Sequence, residues 1–145
     1  MIPRILLVPV DFSATSEYAL DYACVLAARL DAKIQLVHAL GANVPELDNV
    51  FTDSMIETLR EGAKVRLEKL AAPRRSIAAI MDPMVLSGEP RDAILDAAVS
   101  ADADMIVIGS HGRRGMARVM LGSVAEQVAR RANCPVLIVH GAPPN

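Results

Sequence analysis

The sequence predicts a doubly wound α/β fold, a parallel sheet with helices on both faces. Two observations carry this expectation. Five short β-type runs alternate with helical patterns along the 145 residues, the rhythm of consecutive βαβ units. The runs are apolar nearly throughout, as strands covered on both faces must be. Composition agrees: 52% of residues are hydrophobic but only 3% aromatic, with no Trp, so the core is aliphatic. A chain of this length favours one domain, 1–145, around one core.

The first run is Arg4–Val10, RILLVPV. Ser13 is placed to cap a helix over Thr15–Leu30, whose Leu20, Ala23, Ala27 and Leu30 recur at spacings of three and four and form one buried stripe. Lys33–Leu40 is the second strand. A long helix follows near Met55–Leu70, with Ile56, Leu59, Ala63, Leu67 and Leu70 inward and Glu57, Arg60, Glu61, Lys64 and Lys69 on a solvated face. The third strand falls within Ile77–Ser87, where Asp82-Pro83 interrupts; it is either an edge strand or pairs only over Met84–Ser87. Gly88-Glu89-Pro90 turns the chain into a helix running to about Ala101, with Pro90 suited to its first position. Asp104–Ile108 is the fourth strand and ends in Gly109. The last helix starts at Ser123, with a capping box of Ser123 and Glu126. Arg130, Arg131 and Pro135 mark its end, and Pro135–His140 is the fifth strand. There is no internal repeat.

Charge narrows the function classes. The formal net charge of −2 and the scarcity of stacking aromatics argue against a nucleic-acid partner. Arginines nevertheless gather late in the chain, at Arg113, Arg114, Arg118, Arg130 and Arg131. The two cysteines, Cys24 and Cys134, sit in apolar surroundings without a CxxC or Cys/His cluster, which favours buried hydrophobes over a metal site. The N-terminus shows no signal-peptide pattern and no run is long enough for a membrane span, so a cytoplasmic location is expected.

Ligands of open α/β sheets bind beyond the carboxyl ends of the strands, where strand order reverses. In an order 3-2-1-4-5 that point lies between strands one and four. Strand one ends in Pro9-Val10-Asp11 and strand four in Gly109-Ser110-His111-Gly112. Asp11 offers a carboxylate suited to ribose hydroxyls or an adenine amine. The glycines let backbone N–H groups approach an anion. The loop from Ser110 to Gly122 is long for an α/β connection, and it feeds a helix N-terminus that favours a phosphate. Rival patterns are missing: GxxxxGK[ST], GxGxxG after strand one and GxSxG do not occur. Asp11 could instead cap its own turn. Arg113 and Arg114 are candidates for phosphate contact or for solvated charge. His111 has no evident carboxylate partner in the sequence, which favours a loop role, and His38 and His140 are expected as strand-end residues.

Gly109-x-x-Gly112, nine residues, then Gly122-Ser123 resembles the G-2x-G-9x-G-[S/T] motif of ATP-binding universal stress proteins. Pro9-Val10-Asp11-Phe12-Ser13, Val37-His38-Ala39, Gly88-Glu89-Pro90 and Asn133-Cys134-Pro135-Val136-Leu137 resemble further family segments, so the likeness covers almost the whole chain. The resemblance implies a five-stranded parallel sheet of order 3-2-1-4-5, Rossmann-like and of the adenine nucleotide alpha hydrolase type. It implies ATP held with adenine near Pro9, Val10, Asp11 and Ala39, and with phosphates and ribose on Gly109, Gly112, Gly122, Ser123 and Val124. Ala39 stands where a larger aliphatic residue is common. Magnesium or manganese, held mainly by the phosphates, usually accompanies the triphosphate. The resemblance also implies a homodimer through the last strand, at Val136, Leu137, Ile138 and Val139. That strand is continuously apolar with no Lys to guard its edge, a pairing hazard on physical grounds alone.

The function this implies is a nucleotide-occupied regulatory or stress-response state read by protein partners, rather than efficient catalysis. No general base is evident beside the phosphate loop. Two alternatives stay open: slow ATP hydrolysis with His111 or Asp11 positioning water, and a nucleotide-free dimeric interaction module.

Overall fold

The computed structural model describes residues 1–43, 52–111 and 121–141. Its elements are β1 (Ile5–Pro9), α1 (Ala14–Leu30), β2 (Lys33–Ala39), a 3-10 turn (Leu40–Asn43), α2 (Asp53–Arg74), β3 (Ala79–Ile80), β4 (Met84–Leu86), α3 (Pro90–Ser100), β5 (Met105–Gly109), α4 (Ser123–Arg131) and β6 (Val136–Val139). All strands pair in parallel, in the order β3-β2-β1-β5-β6, with β4 also on β2.

The expected sheet is therefore present, with its third strand in two pieces. Pro83 lies between them and has no N–H for a ladder. Met81 N–H still donates to the Ile34 carbonyl at 2.8 Å. The buried Gln35 side chain then takes over, its amide donating to the Asp82 carbonyl at 2.9 Å, and pairing resumes at Val37 with Met84.

The central strands show why their sequences are apolar throughout. Leu6, Val8, Ile34, Leu36 and Val107 face one layer with Leu20 and Ala23 of α1 and Leu67 and Ala71 of α2. Leu7, Val37, Ile106 and Ile108 face the other with Ile94 and Ala97 of α3 and Ala125 and Val128 of α4. Alternate residues of one strand thus enter opposite cores. Both cysteines are free, Cys24 in the first core and Cys134 half-buried against the second; burial pushes both thiols up.

Local signals explain most boundaries. Ser13 accepts from the Ser16 N–H and caps α1, and Pro90 opens α3. Helix α2 runs past Leu70 and through Pro73; Arg74 donates to the Leu70 carbonyl at 2.9 Å, and Arg75 N–H closes the end on Ala71. Arg60 does not simply face water: it donates to the Val85 carbonyl at 3.0 Å and to the Ser87 hydroxyl. The expected capping box at Ser123 does not form. Gly122 is the N-cap, no side chain caps the helix, and Ser123 is its first residue.

Candidate functional site

The strand order reverses between β1 and β5, and the crevice beyond the carboxyl ends of the strands at such a switch point is where open α/β sheets bind ligands. Pro9 and Val10 are buried at the end of β1, and Ala39 is buried at the end of β2. The Val10 N–H donates to the Val37 carbonyl at 2.9 Å, which keeps these two ends in step. Across the crevice, Gly109 closes β5 and Ser110 follows, its N–H donating to the Val139 carbonyl at 2.8 Å. The chain returns at Gly122, whose N–H donates to the Ser110 carbonyl at 2.6 Å. Ser123 and Val124 then open α4. Sequence-predicted residues from four segments are thereby brought to one end of the sheet. Gly112, Arg113 and Arg114 lie outside the described residues.

Asp11 does serve its own turn: Ser13 N–H donates to Asp11 Oδ1 at 3.0 Å, and Asp11 N–H donates to Ser16 Oγ at 3.3 Å. This ties the carboxylate into the turn at the carboxyl end of β1. The glycines have a packing role that the sequence did not reveal. A Cβ at Gly122 would meet His111 Cα at 3.0 Å and the Ser110 oxygen at 3.2 Å, and one at Gly109 would meet Thr15 Cγ2 at 3.0 Å. The absent side chains let β5, α1 and α4 close on one another. His111 Nδ1 lies 3.4 Å from Thr15 Oγ1, which ties the loop to the first turn of α1.

Several site residues were missed from sequence. Ser110 is 2% exposed, and among the described residues its hydroxyl has no hydrogen-bond partner. Leaving such a group unmade costs about 1–3 kcal/mol. His38 is 4% exposed and donates from Nδ1 to the Val10 carbonyl at 2.8 Å. Phe12 has φ 65°, a left-handed conformation that costs an L-residue about 1–2 kcal/mol. Its ring lies 4.5 Å from the His38 ring, and the Arg66 guanidinium sits over it at 3.9 Å, an interaction of about 0.5–1 kcal/mol when exposed. Only the clustering of Ser13, Thr15 and Ser16 after Asp11 hinted at this turn.

On the β2 side, Gly41 meets Gly88, which has φ 101°. A Cβ at Gly41 would stand 2.5 Å from the Gly88 carbonyl oxygen. Two shallow hollows of about 360 and 400 Å³ lie at the opposite end of the sheet and share Arg75, Ala78 and Ala79. Their walls carry Lys33, Arg75, Asp31 and Ser76 beside apolar residues; the candidate site is instead the carboxyl end of the sheet, where the strand order reverses. Among the described residues there is no group of three or more His, Cys, Asp or Glu able to hold a metal ion, and no helix long and apolar enough to cross a membrane.

Comparison with known proteins fits this arrangement. Universal stress protein MJ0531 of Methanocaldococcus jannaschii is 30% identical over 136 residues, which span 92% of this chain and 80% of the relative. The solved structure of MJ0577 from the same organism matches with a TM-score of 0.79 at 27% identity, covering 99% of this chain and 100% of that one. A universal stress protein solved in complex with cAMP matches with a TM-score of 0.64 at 29% identity, covering 98% and 100%. The model of the universal stress protein family matches residues 3–140, and the chain belongs to that family.

Proposed function

We propose that this protein binds an adenine nucleotide, ATP in the first place, in the crevice between β1 and β5, and that the occupied state is a regulatory signal in a stress response. The observation that carries this reading is the Ser110 hydroxyl, buried at the switch point and without a hydrogen-bond partner among the described residues, beside a helix N-terminus that no described side chain caps. Both groups gain partners from a phosphorylated ligand. The cAMP complex of the related protein supports the ligand class.

In this reading Pro9, Val10, Asp11 and Ala39 form the adenine side. Gly109, Gly112, Gly122, Ser123 and Val124 form the ribose and phosphate side, with Arg113 and Arg114 available to the phosphates. The N–H groups that open α4 act as anion donors, and the Asp11 carboxylate accepts from ribose or adenine. Magnesium or manganese would be held mainly by the phosphates. The Thr15 contact to His111 favours binding over rapid turnover. The setting is cytoplasmic.

The reading includes a homodimer. β6 pairs with β5 on one side only among the described residues. Val136, Leu137 and Ile138 are half-buried there, whereas Val139 is 7% exposed. Pairing of two copies of β6 would cover the edge. Leu137→Glu is expected to yield monomers in sedimentation, and an unchanged dimer would remove this interface.

Calorimetric titration with ATP and magnesium, run beside AMP, cAMP and inorganic triphosphate, tests the ligand. Saturable adenine-nucleotide binding that triphosphate alone does not reproduce is expected. Nucleotide-free protein that binds none of the four would contradict the reading and favour a nucleotide-free interaction module.

A further inference from the structure

The turn after β1 holds a residue whose conformation its own side chain does not favour. Among the described residues, three non-glycine positions have positive φ: Phe12, Asp31 and Asp102. Asp31 terminates α1, and Asp102 follows α3; short aspartate side chains suit such helix ends. Phe12 terminates no helix. It follows Asp11 where the chain leaves the sheet for α1.

Two outside side chains hold it. Arg66, from α2, places its guanidinium carbon 3.9 Å from the Phe12 ring centroid. His38, from the end of β2, brings its ring to 4.5 Å and donates to the Val10 carbonyl at 2.8 Å. The stack therefore grips the chain on both sides of Asp11: Val10 through its carbonyl and Phe12 through its ring. Strained residues persist only where surrounding structure over-determines them, and they cluster at ligand sites.

We propose that Arg66, acting through Phe12, is a positioning residue for the ligand end of β1: the Arg66–Phe12–His38 stack holds the left-handed turn that aims Val10 and Asp11 into the crevice. This rests on the nucleotide reading for what the turn is aimed at. It also gives α2 a direct mechanical link to ligand occupancy.

The test separates backbone from ring. Glycine adopts a positive φ without strain, so Phe12→Gly keeps the turn accessible, whereas Phe12→Ala keeps the strain and loses the grip. Affinity for ATP with magnesium would be measured for Phe12→Ala, Phe12→Gly, Arg66→Ala and Arg66→Lys. Amide exchange of Ser13, whose N–H donates to Asp11, would be followed in the nucleotide-free proteins. Phe12→Ala and Arg66→Ala are expected to weaken ATP binding about fivefold and to accelerate Ser13 exchange. Phe12→Gly should recover most of what Phe12→Ala loses, and Arg66→Lys part of what Arg66→Ala loses. A merely structural ring would leave Phe12→Gly no better than Phe12→Ala, and that result overturns the proposal. So does Arg66→Ala with wild-type affinity and wild-type Ser13 exchange. A wild-type protein that binds no nucleotide sinks the functional reading instead, and Ser13 exchange still decides whether the stack sets the turn.

Discussion

The two ends of the sheet are built on opposite principles. At the amino end several polar groups are held in pairs. The Asp104 carboxylate accepts from the Arg4 N–H at 2.8 Å and the Ile5 N–H at 3.0 Å, and the Asp104 N–H donates to the Ile5 carbonyl at 2.8 Å. Arg74 pairs with Asp21 at 2.8 Å, and Arg75 pairs with Glu68. The carboxyl end instead holds a left-handed Phe12, a close approach of Gly41 to Gly88 that leaves no room for a Cβ, and a Ser110 hydroxyl without a hydrogen-bond partner among the described residues. Regions that over-satisfy their polar groups hold a fold together. Regions that leave groups strained or unpaired are where a ligand can add partners.

The comparison can be broken by variants that should move binding and stability separately. The largest effect belongs to Gly122→Val. Its side chain would drive into His111 and Ser110, so nucleotide affinity should fall at least tenfold, about 1.4 kcal/mol, in calorimetry on a protein that still melts cooperatively. Gly41→Ala comes next. Its methyl would overlap a backbone oxygen that cannot rotate away, and overpacking of this kind costs about 1–3 kcal/mol in denaturant unfolding.

Asp104→Ala probes the other end. Backbone N–H donation from Arg4, then from Ile5, holds this carboxyl below the usual range. A depressed folded-state pKa gives stability that is complete above the unfolded value and lost as pH falls through the folded one. Asp104→Ala should therefore lower the melting temperature at neutral pH without changing nucleotide affinity. The gap to wild type should close on acidification. A variant that loses affinity as much as stability would dissolve the distinction between the ends. The smallest effect belongs to Ser110→Ala. Removing a buried hydroxyl that has no partner among the described residues should leave the nucleotide-free protein unchanged or more stable, by about 1 kcal/mol or less, yet weaken nucleotide binding. Matching losses in both would show that Ser110 is an ordinary structural residue.

What was legible in the sequence follows from range. Leu6 to Val8 and Ile34 to Val37 announce covered strands because burial on both faces removes polar residues from a local window. Ser13 and Pro90 announce helix starts because caps act within three residues. Pro83 announced an interruption of the third strand, but not that Ala79–Ile80 and Met84–Leu86 both pair with β2, nor the bridging by Gln35, 47 residues from Asp82. The capping box at Ser123 was misread for a related reason: the return of Gly122 to Ser110 sets where α4 begins, and that contact spans the loop. In the site, Asp11 and the glycines stood out as residue types with few other uses. Ser110, His38 and Arg66 did not, because burial and stacking partners come from distant segments.

The central claim is that ligand chemistry belongs to the carboxyl end alone. Amide chemical-shift mapping on titration with ATP and magnesium tests it most directly. Large shifts are expected at Val10, Asp11, Ala39, Gly109, Ser110 and Gly122, and small ones at Arg4, Lys33 and Asp104. Shifts centred on Lys33, Arg75 and Ala79 would place the ligand at the other end and contradict it.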